Sequence, residues 1–147
     1  MKVAQALAAF SLACLVAVPA LAQTPPPTLY KRLGGYDAIV AVSDDFLGRL
    51  SVNPQFTKFF AGHSTDSLKR LRQHVIDFLC FGTGGPCVYM GRDMKTSHAG
   101  LGITESNWNA SAKELVATLD KFNVPAKEKD EVLAAVTSLK KDIVEKP

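Results

Sequence analysis

Apolar residues recur at intervals of three and four along most of this 147-residue chain, and glycine or proline interrupts each run. That period places apolar side chains along one face of an α-helix. No segment alternates apolar and polar residues as a half-buried strand does. The chain is therefore predicted to be all-α, with long helices over residues 37–50, 64–81, 105–122 and 126–144.

Shorter elements are predicted between the long helices. Residues 28–33 form at most a short helix, because Gly34-Gly35 follows. Asn53-Pro54 combines a capping residue with a proline suited to the first helical position. It predicts the start of a short turn that carries Phe56, Phe59 and Phe60. Thr104 is predicted to cap the helix that begins at Glu105.

The amino terminus has the pattern of an export signal. A basic start is followed by an apolar run, and Ala20-Leu21-Ala22 gives the small-x-small pattern of a cleavage site before Gln23. The run is short for a membrane span, and Gln5 and Pro19 weaken it further. We expect a signal peptide over residues 1–22 and an exported protein, periplasmic or secreted.

The remaining chain is predicted to hold one domain. Residues 23–28 read as a proline-rich spacer, and residues 29–145 are one domain's length. Lysines and acids alternate over residues 127–146, Glu145 among them, as on a solvated helix face. No basic stripe with interleaved aromatic residues indicates nucleic acid as a partner.

Three cysteines bear on the redox state of the chain. Cys14 falls in the leader, and Ser11 stands where a lipid-attachment signal usually has an aliphatic residue. Cys80 and Cys87 remain in the exported chain, an even number in an oxidising compartment. A disulfide and two reduced, buried thiols are both consistent with this spacing.

His98 lies in the most unusual stretch of the sequence, residues 89–103. Asp93 is predicted to cap a helix of one to two turns over residues 94–99, and Gly100 and Gly102 then end it. Such a short helix would hold one imidazole at a fixed place, and a neutral imidazole ligates metals readily. The alternative is a surface or capping histidine.

His74 is the second candidate. It lies beside an apolar stripe on the second long helix, formed by Leu68, Leu71, Val75, Phe78 and Leu79. The alternative is an amphipathic residue at the edge of that face.

Several short motifs together resemble one known family. They are Leu-Tyr-Lys-Arg-Leu-Gly-Gly at 29–35, Phe59-Phe60, Gly84-Gly85-Pro86, Tyr89-x-Gly-Arg-Asp-Met-Lys-x-x-His98 and Gly102-Ile103-Thr104. In this order and spacing, over residues 29–144, the sequence is similar to the truncated haemoglobins of group I. The resemblance implies a truncated globin fold, the two-over-two helical sandwich.

The resemblance implies haem b as a non-covalent cofactor, and the sequence has no C-x-x-C-H run for covalent attachment of the c type. His98 matches the proximal iron ligand of the family. Phe60 matches the phenylalanine that packs on the haem face. The other positions that match the pocket lining are Tyr89, Met94, Ile103 and Trp108.

On the distal side the sequence departs from better-known members. Leu47 stands where many have a tyrosine that binds dioxygen, and Leu71 and Val75 stand where glutamines often assist. Losing such a hydrogen bond is worth roughly 1–3 kcal/mol, or about tenfold to a hundredfold in ligand release. A histidine at the position of His74 is a sixth iron ligand in some relatives, and in others the residue there contacts a haem propionate.

The function this implies is reversible binding of O2, with NO and CO as further diatomic ligands, as in oxygen transport. A second hypothesis is a redox enzyme, an NO dioxygenase or weak peroxidase, which would need an electron donor that the sequence does not identify. The apolar Leu47, Leu71 and Val75 argue against high turnover. A third hypothesis is a helical interaction module without haem.

Overall fold

The computed structural model describes residues 25–146, and the described part contains no β-strand. Residues 1–24, which carry the expected signal peptide and the start of the spacer, lie outside the described residues. The all-α prediction is confirmed. The helices are α1 Leu29–Arg32, α2 Tyr36–Val52, α3 Thr57–Phe60, α4 Thr65–Gly82, α5 Met94–His98, α6 Glu105–Lys121, α7 Ala126–Thr137 and α8 Lys140–Ile143.

Short side chains cap two long helices, at Ser64 and, as the sequence predicts, at Thr104. The Ser64 hydroxyl accepts a hydrogen bond from the Ser67 backbone N–H at 3.2 Å. The Thr104 hydroxyl accepts from the Asn107 N–H, and the Asn107 side chain accepts in return from the Thr104 N–H, both at 3.1 Å. These bonds satisfy backbone donors that the first turn of a helix leaves free.

One predicted boundary is wrong. The last helix does not run unbroken to Val144, because α7 ends at Thr137 and the Leu139 N–H bonds three residues back to the Val136 carbonyl. Asn53 starts the turn before α3 as predicted, and it is also the C-cap of α2. Its side-chain oxygen accepts from the Gln55 N–H at 3.0 Å, and its carbonyl accepts from the Thr57 N–H at 3.2 Å.

Helix α2 is the centre of the fold because it packs on both α4 and α6. On one side a core of Ile39, Ile76 and Cys80 joins α2 to α4. On the other side a core of Leu115, Leu119 and Val132 joins α6 to α7, with residues of α2 packed against it. The helices therefore form two pairs, α2 with α4 and α6 with α7. None of the helices in residues 25–146 is long and apolar enough to cross a membrane.

A carboxylate on α2 links the α2–α4 pair to the α6–α7 pair. Asp45 on α2 has a side chain only 11 % exposed, and it accepts from Arg49 Nε at 2.6 Å and from the Thr118 hydroxyl at 2.9 Å. Lys121 also donates to it. The hydrogen bonds from Lys121 and then Arg49 lower the pKa of the Asp45 carboxyl well below its usual range.

We expect Asp45→Asn to cost about 1–3 kcal/mol of unfolding free energy at pH 7, because it breaks charge-assisted hydrogen bonds at a nearly buried site. A carboxyl whose pKa is lower in the folded state stabilises the fold above the unfolded value of 3.8, and this contribution fades as pH falls below it. The difference between wild type and variant in urea denaturation should therefore be largest at neutral pH and shrink below about pH 4.

Asp44→Asn is the matched control for this experiment. Asp44 is the neighbouring acid, but its ion pair with Arg72 is exposed on the surface and should contribute less than about 1 kcal/mol. An equal loss of unfolding free energy in the two variants would contradict the role of Asp45 in linking the two helix pairs.

Candidate haem site

Helix α5 carries His98 but cannot hold itself in place. It has five residues, none of them buried, and a helix this short is unstable in isolation. Asp93 fixes its start: the carboxylate accepts from the Thr96 backbone N–H at 2.8 Å and from the Thr96 hydroxyl at 2.9 Å. The Thr96 N–H lowers the pKa of the Asp93 carboxyl, which therefore stays charged and keeps capping.

The imidazole of His98 is half-buried and is oriented by its own helix. Its Nδ1 lies 2.8 Å from the Met94 carbonyl oxygen. Because a carbonyl can only accept, the proton of the neutral ring has to lie on Nδ1. The lone pair is then on Nε2, which is the arrangement of a histidine ligand whose other nitrogen is held by a backbone carbonyl.

Helix α5 ends in a loop that the carboxyl terminus holds. Gly100 and Gly102 have φ of +80° and +65°, which favour glycine. Their N–H groups donate to the two oxygens of Glu145, at 2.6 and 2.5 Å. These bonds lower the pKa of the Glu145 carboxyl. Glu145 is exposed, as the prediction of a solvated face requires, but it lies beyond the end of α8 and binds a loop.

Tyr89 connects this region with α4. Its ring lies edge-on to Phe78, with centroids 5.1 Å apart, and edge-on to His74 at 6.2 Å. Its hydroxyl donates to the Arg92 carbonyl at 2.6 Å. The phenol passes so close to Gly91 that a Cβ there would lie 2.3 Å from the hydroxyl oxygen.

Helix α4 has two faces with different surroundings. Ile76 and Cys80 are fully buried against α2. At 100° per residue, Leu71, His74 and Phe78 lie roughly on the opposite side of the helix. Leu71 is 38 % exposed and His74 is also exposed, so this second face is only partly covered by protein.

The other predicted site residues occupy several elements. Trp108 is buried near the start of α6, with 8 % of its surface exposed. Half-buried positions are Leu47 on α2, Phe60 at the end of α3, Val75 on α4, Met94 on α5 and Ile103 in the following loop. The structure brings His74 to Tyr89 and Met94 to His98 by direct contact.

A disulfide closes the turn between α4 and the Tyr89 stretch. Cys80 and Cys87 are bonded, with Cα atoms 5.7 Å apart. Of the two alternatives that the spacing allowed, the structure therefore contains the disulfide. It ties the carboxyl end of α4 to the segment two residues before Tyr89.

The Bacterial-like globin family model matches residues 28–145. The chain belongs to this family of globins. The group 1 truncated hemoglobin GlbN of Mycolicibacterium paratuberculosis is 32 % identical over 118 residues, which are 80 % of this chain and 85 % of the relative. GlbN of Nostoc commune is 35 % identical over 119 residues, covering 81 % of this chain and 98 % of the relative.

Solved globins share the fold. The truncated hemoglobin of Tetrahymena pyriformis in its Fe(III) form has a TM-score of 0.73 at 27 % identity, covering 80 % of this chain and 98 % of that protein. The 2/2 hemoglobin of Synechococcus sp. PCC 7002, solved in the cyanomet state with covalently attached heme, has a TM-score of 0.72 at 29 % identity and the same coverage. The predicted globin fold is confirmed.

Two contacts in this globin do not follow from the sequence pattern. Helical spacing places Phe78 in an apolar stripe, but it does not show that its ring contacts Tyr89. Charge alternation predicts a solvated Glu145, but it does not show that the carboxylate binds Gly100 and Gly102. A periodic pattern gives a face for each residue but does not identify its partner on another segment.

Proposed function

We propose that this globin binds haem b non-covalently, with Nε2 of His98 as the proximal ligand. The observation that carries the proposal is the hydrogen bond from Nδ1 of His98 to the Met94 carbonyl, because it leaves Nε2 as the free nitrogen donor. Family membership supports the same cofactor. When bound, haem would supply an iron atom able to take up O2, NO and CO.

The residues present fit a porphyrin. A flat, largely apolar ligand needs an apolar wall, and α4 offers Leu71 and Phe78 on its face away from α2. Such a ligand also needs one nitrogen donor of fixed tautomer, which His98 provides. Tyr89, between α4 and α5 in the chain, packs against that face of α4 through Phe78 and His74.

The distal residues favour rapid exchange of a diatomic ligand over tight retention. We propose that Leu47, Leu71 and Val75 line that side, and none of the three carries a hydrogen-bond donor. The side chain of Gln73, the neighbouring amide on α4, donates to Asp77 and to the Tyr36 hydroxyl. Reversible binding therefore fits these residues better than a redox reaction that needs a stabilised ligand.

Replacing the proximal nitrogen donor should weaken haem binding. We expect His98→Ala to lower haem affinity at least about tenfold and to change the Soret and visible bands, because the iron loses its proximal nitrogen ligand. Haem titration of wild type and variant, followed by absorption, measures both effects.

His63→Ala is the control, since His63 is an exposed loop histidine outside this constellation. If His98→Ala keeps the wild-type bands and affinity, the proposal is wrong. A wild-type protein that takes up no haem at all would leave the haem-free helical module as the better interpretation.

We propose further that His74 is the internal sixth ligand in the absence of gas. It is the nitrogen donor on the α4 face that also carries Leu71 and Phe78. Wild type should then show six-coordinate, low-spin spectra in both ferric and ferrous forms. His74→Ala should convert them to five-coordinate or aquo-type spectra. An aquo-type wild-type spectrum that His74→Ala leaves unchanged would contradict this role and favour a propionate contact.

We also propose that the protein is exported, to the periplasm or the outside. The basic, apolar leader with its cleavage pattern supports export, and so does the Cys80–Cys87 disulfide, which persists in oxidising compartments. Intact-mass analysis of the native protein should give a chain that begins near Gln23 and gains two hydrogens on reduction. A full-length, fully reduced cytosolic protein would refute it.

A further inference from the structure

The carboxyl-terminal segment is bound to the loop that follows His98. The Glu145 N–H and the Lys146 N–H donate to the Ile103 carbonyl, at 2.9 and 3.2 Å. The Glu105 N–H donates back to the Lys146 carbonyl at 3.1 Å. Residues 144–146 thus run beside residues 103–105 at the start of α6.

The Glu145 side chain adds a second attachment to the same loop. Its two carboxylate oxygens accept from the N–H groups of Gly100 and Gly102. Backbone N–H groups in turns with positive φ converge on anions, and here the anion belongs to the chain itself. One residue therefore fixes the loop by its backbone and by its carboxylate.

The loop needs this attachment because α5 has little else to hold it. The helix buries no residue of its own, and its start is fixed by Asp93. Its packing partner is α8, which ends two residues before Glu145 in the chain. The Lys140 ammonium on α8 bonds to Glu105 on α6 at 2.7 Å, which anchors the segment from the other end.

From this geometry we infer that Glu145 is a positioning residue for the proximal histidine. It holds the end of α5 so that His98 keeps one place and one angle toward the haem. The inference rests on the proposed role of His98. Residues 144–146 would then act as a clamp, a name we use for their contacts with residues 100–105.

The decisive variant is Glu145→Gln, which keeps the size of the side chain but leaves one oxygen to accept where two N–H groups need partners. We expect amide hydrogen exchange at Gly100 and Gly102 to accelerate about tenfold or more in the protein as purified, because these hydrogen bonds are charge-assisted. In the ferrous haem protein we expect the iron–histidine stretching band to shift or broaden, and haem loss to become several-fold faster.

Two further variants separate geometry from charge. Asp142→Asn removes one negative charge from α8, three residues earlier, and should leave all three measurements as in wild type. Glu145→Asp keeps the charge but shortens the reach, and it should behave like Glu145→Gln. If Glu145→Asp behaves like wild type, charge near His98 is sufficient and the positioning role is refuted.

The measurements can refute the role of Glu145 without refuting the proposed haem binding. Hydrogen exchange needs no haem, so unchanged rates at Gly100 and Gly102 in Glu145→Gln would overturn the clamp whatever cofactor binds. Faster exchange with an unchanged iron–histidine band and unchanged haem loss would overturn the link to His98. A failure of the proposed function appears instead in the haem titration of His98→Ala.

Discussion

Helix α4 can bury only one of its apolar faces against protein, and the rest of the structure follows from this constraint. Ile76 and Cys80 use one face to build the core with α2. The other face leaves Leu68 and Leu71 each 38 % exposed. Apolar side chains that stay exposed to water contribute no hydrophobic stabilisation. A large apolar cofactor that covers this face of α4 would bury them.

The segment that carries His98 is built from parts that are individually weak. Helix α5 is too short to be stable alone, its histidine is only half-buried, and two glycines follow it. Order comes from contacts at its edges: Asp93 at the start, the Met94 carbonyl on the imidazole, and Glu145 beyond the end. A short helix fixed from outside can present its ligand without giving up core residues of its own.

The features that the sequence predicted are those decided locally or by a familiar motif. Thr104 and Asp93 are predictable as caps because each is three positions from the N–H whose hydrogen bond it accepts. The break at Ser138 was not predicted, since the apolar period continues through it. Asp45 and Glu145 act on partners 43 to 76 positions away, and charge alone does not select among such partners. His98, His74 and Tyr89 were assigned through the family resemblance.

The close approach of Tyr89 to Gly91 makes the two positions depend on each other. A methyl group at 91 would meet the ring carbons as well as the oxygen, at 2.4 and 2.6 Å, so phenylalanine at 89 would not relieve the clash. Alanine at 91 would therefore displace the aromatic ring, and the ring would lose its packing on His74 and Phe78. The absence of a side chain at one position is thus a condition for the aromatic contact made by the other.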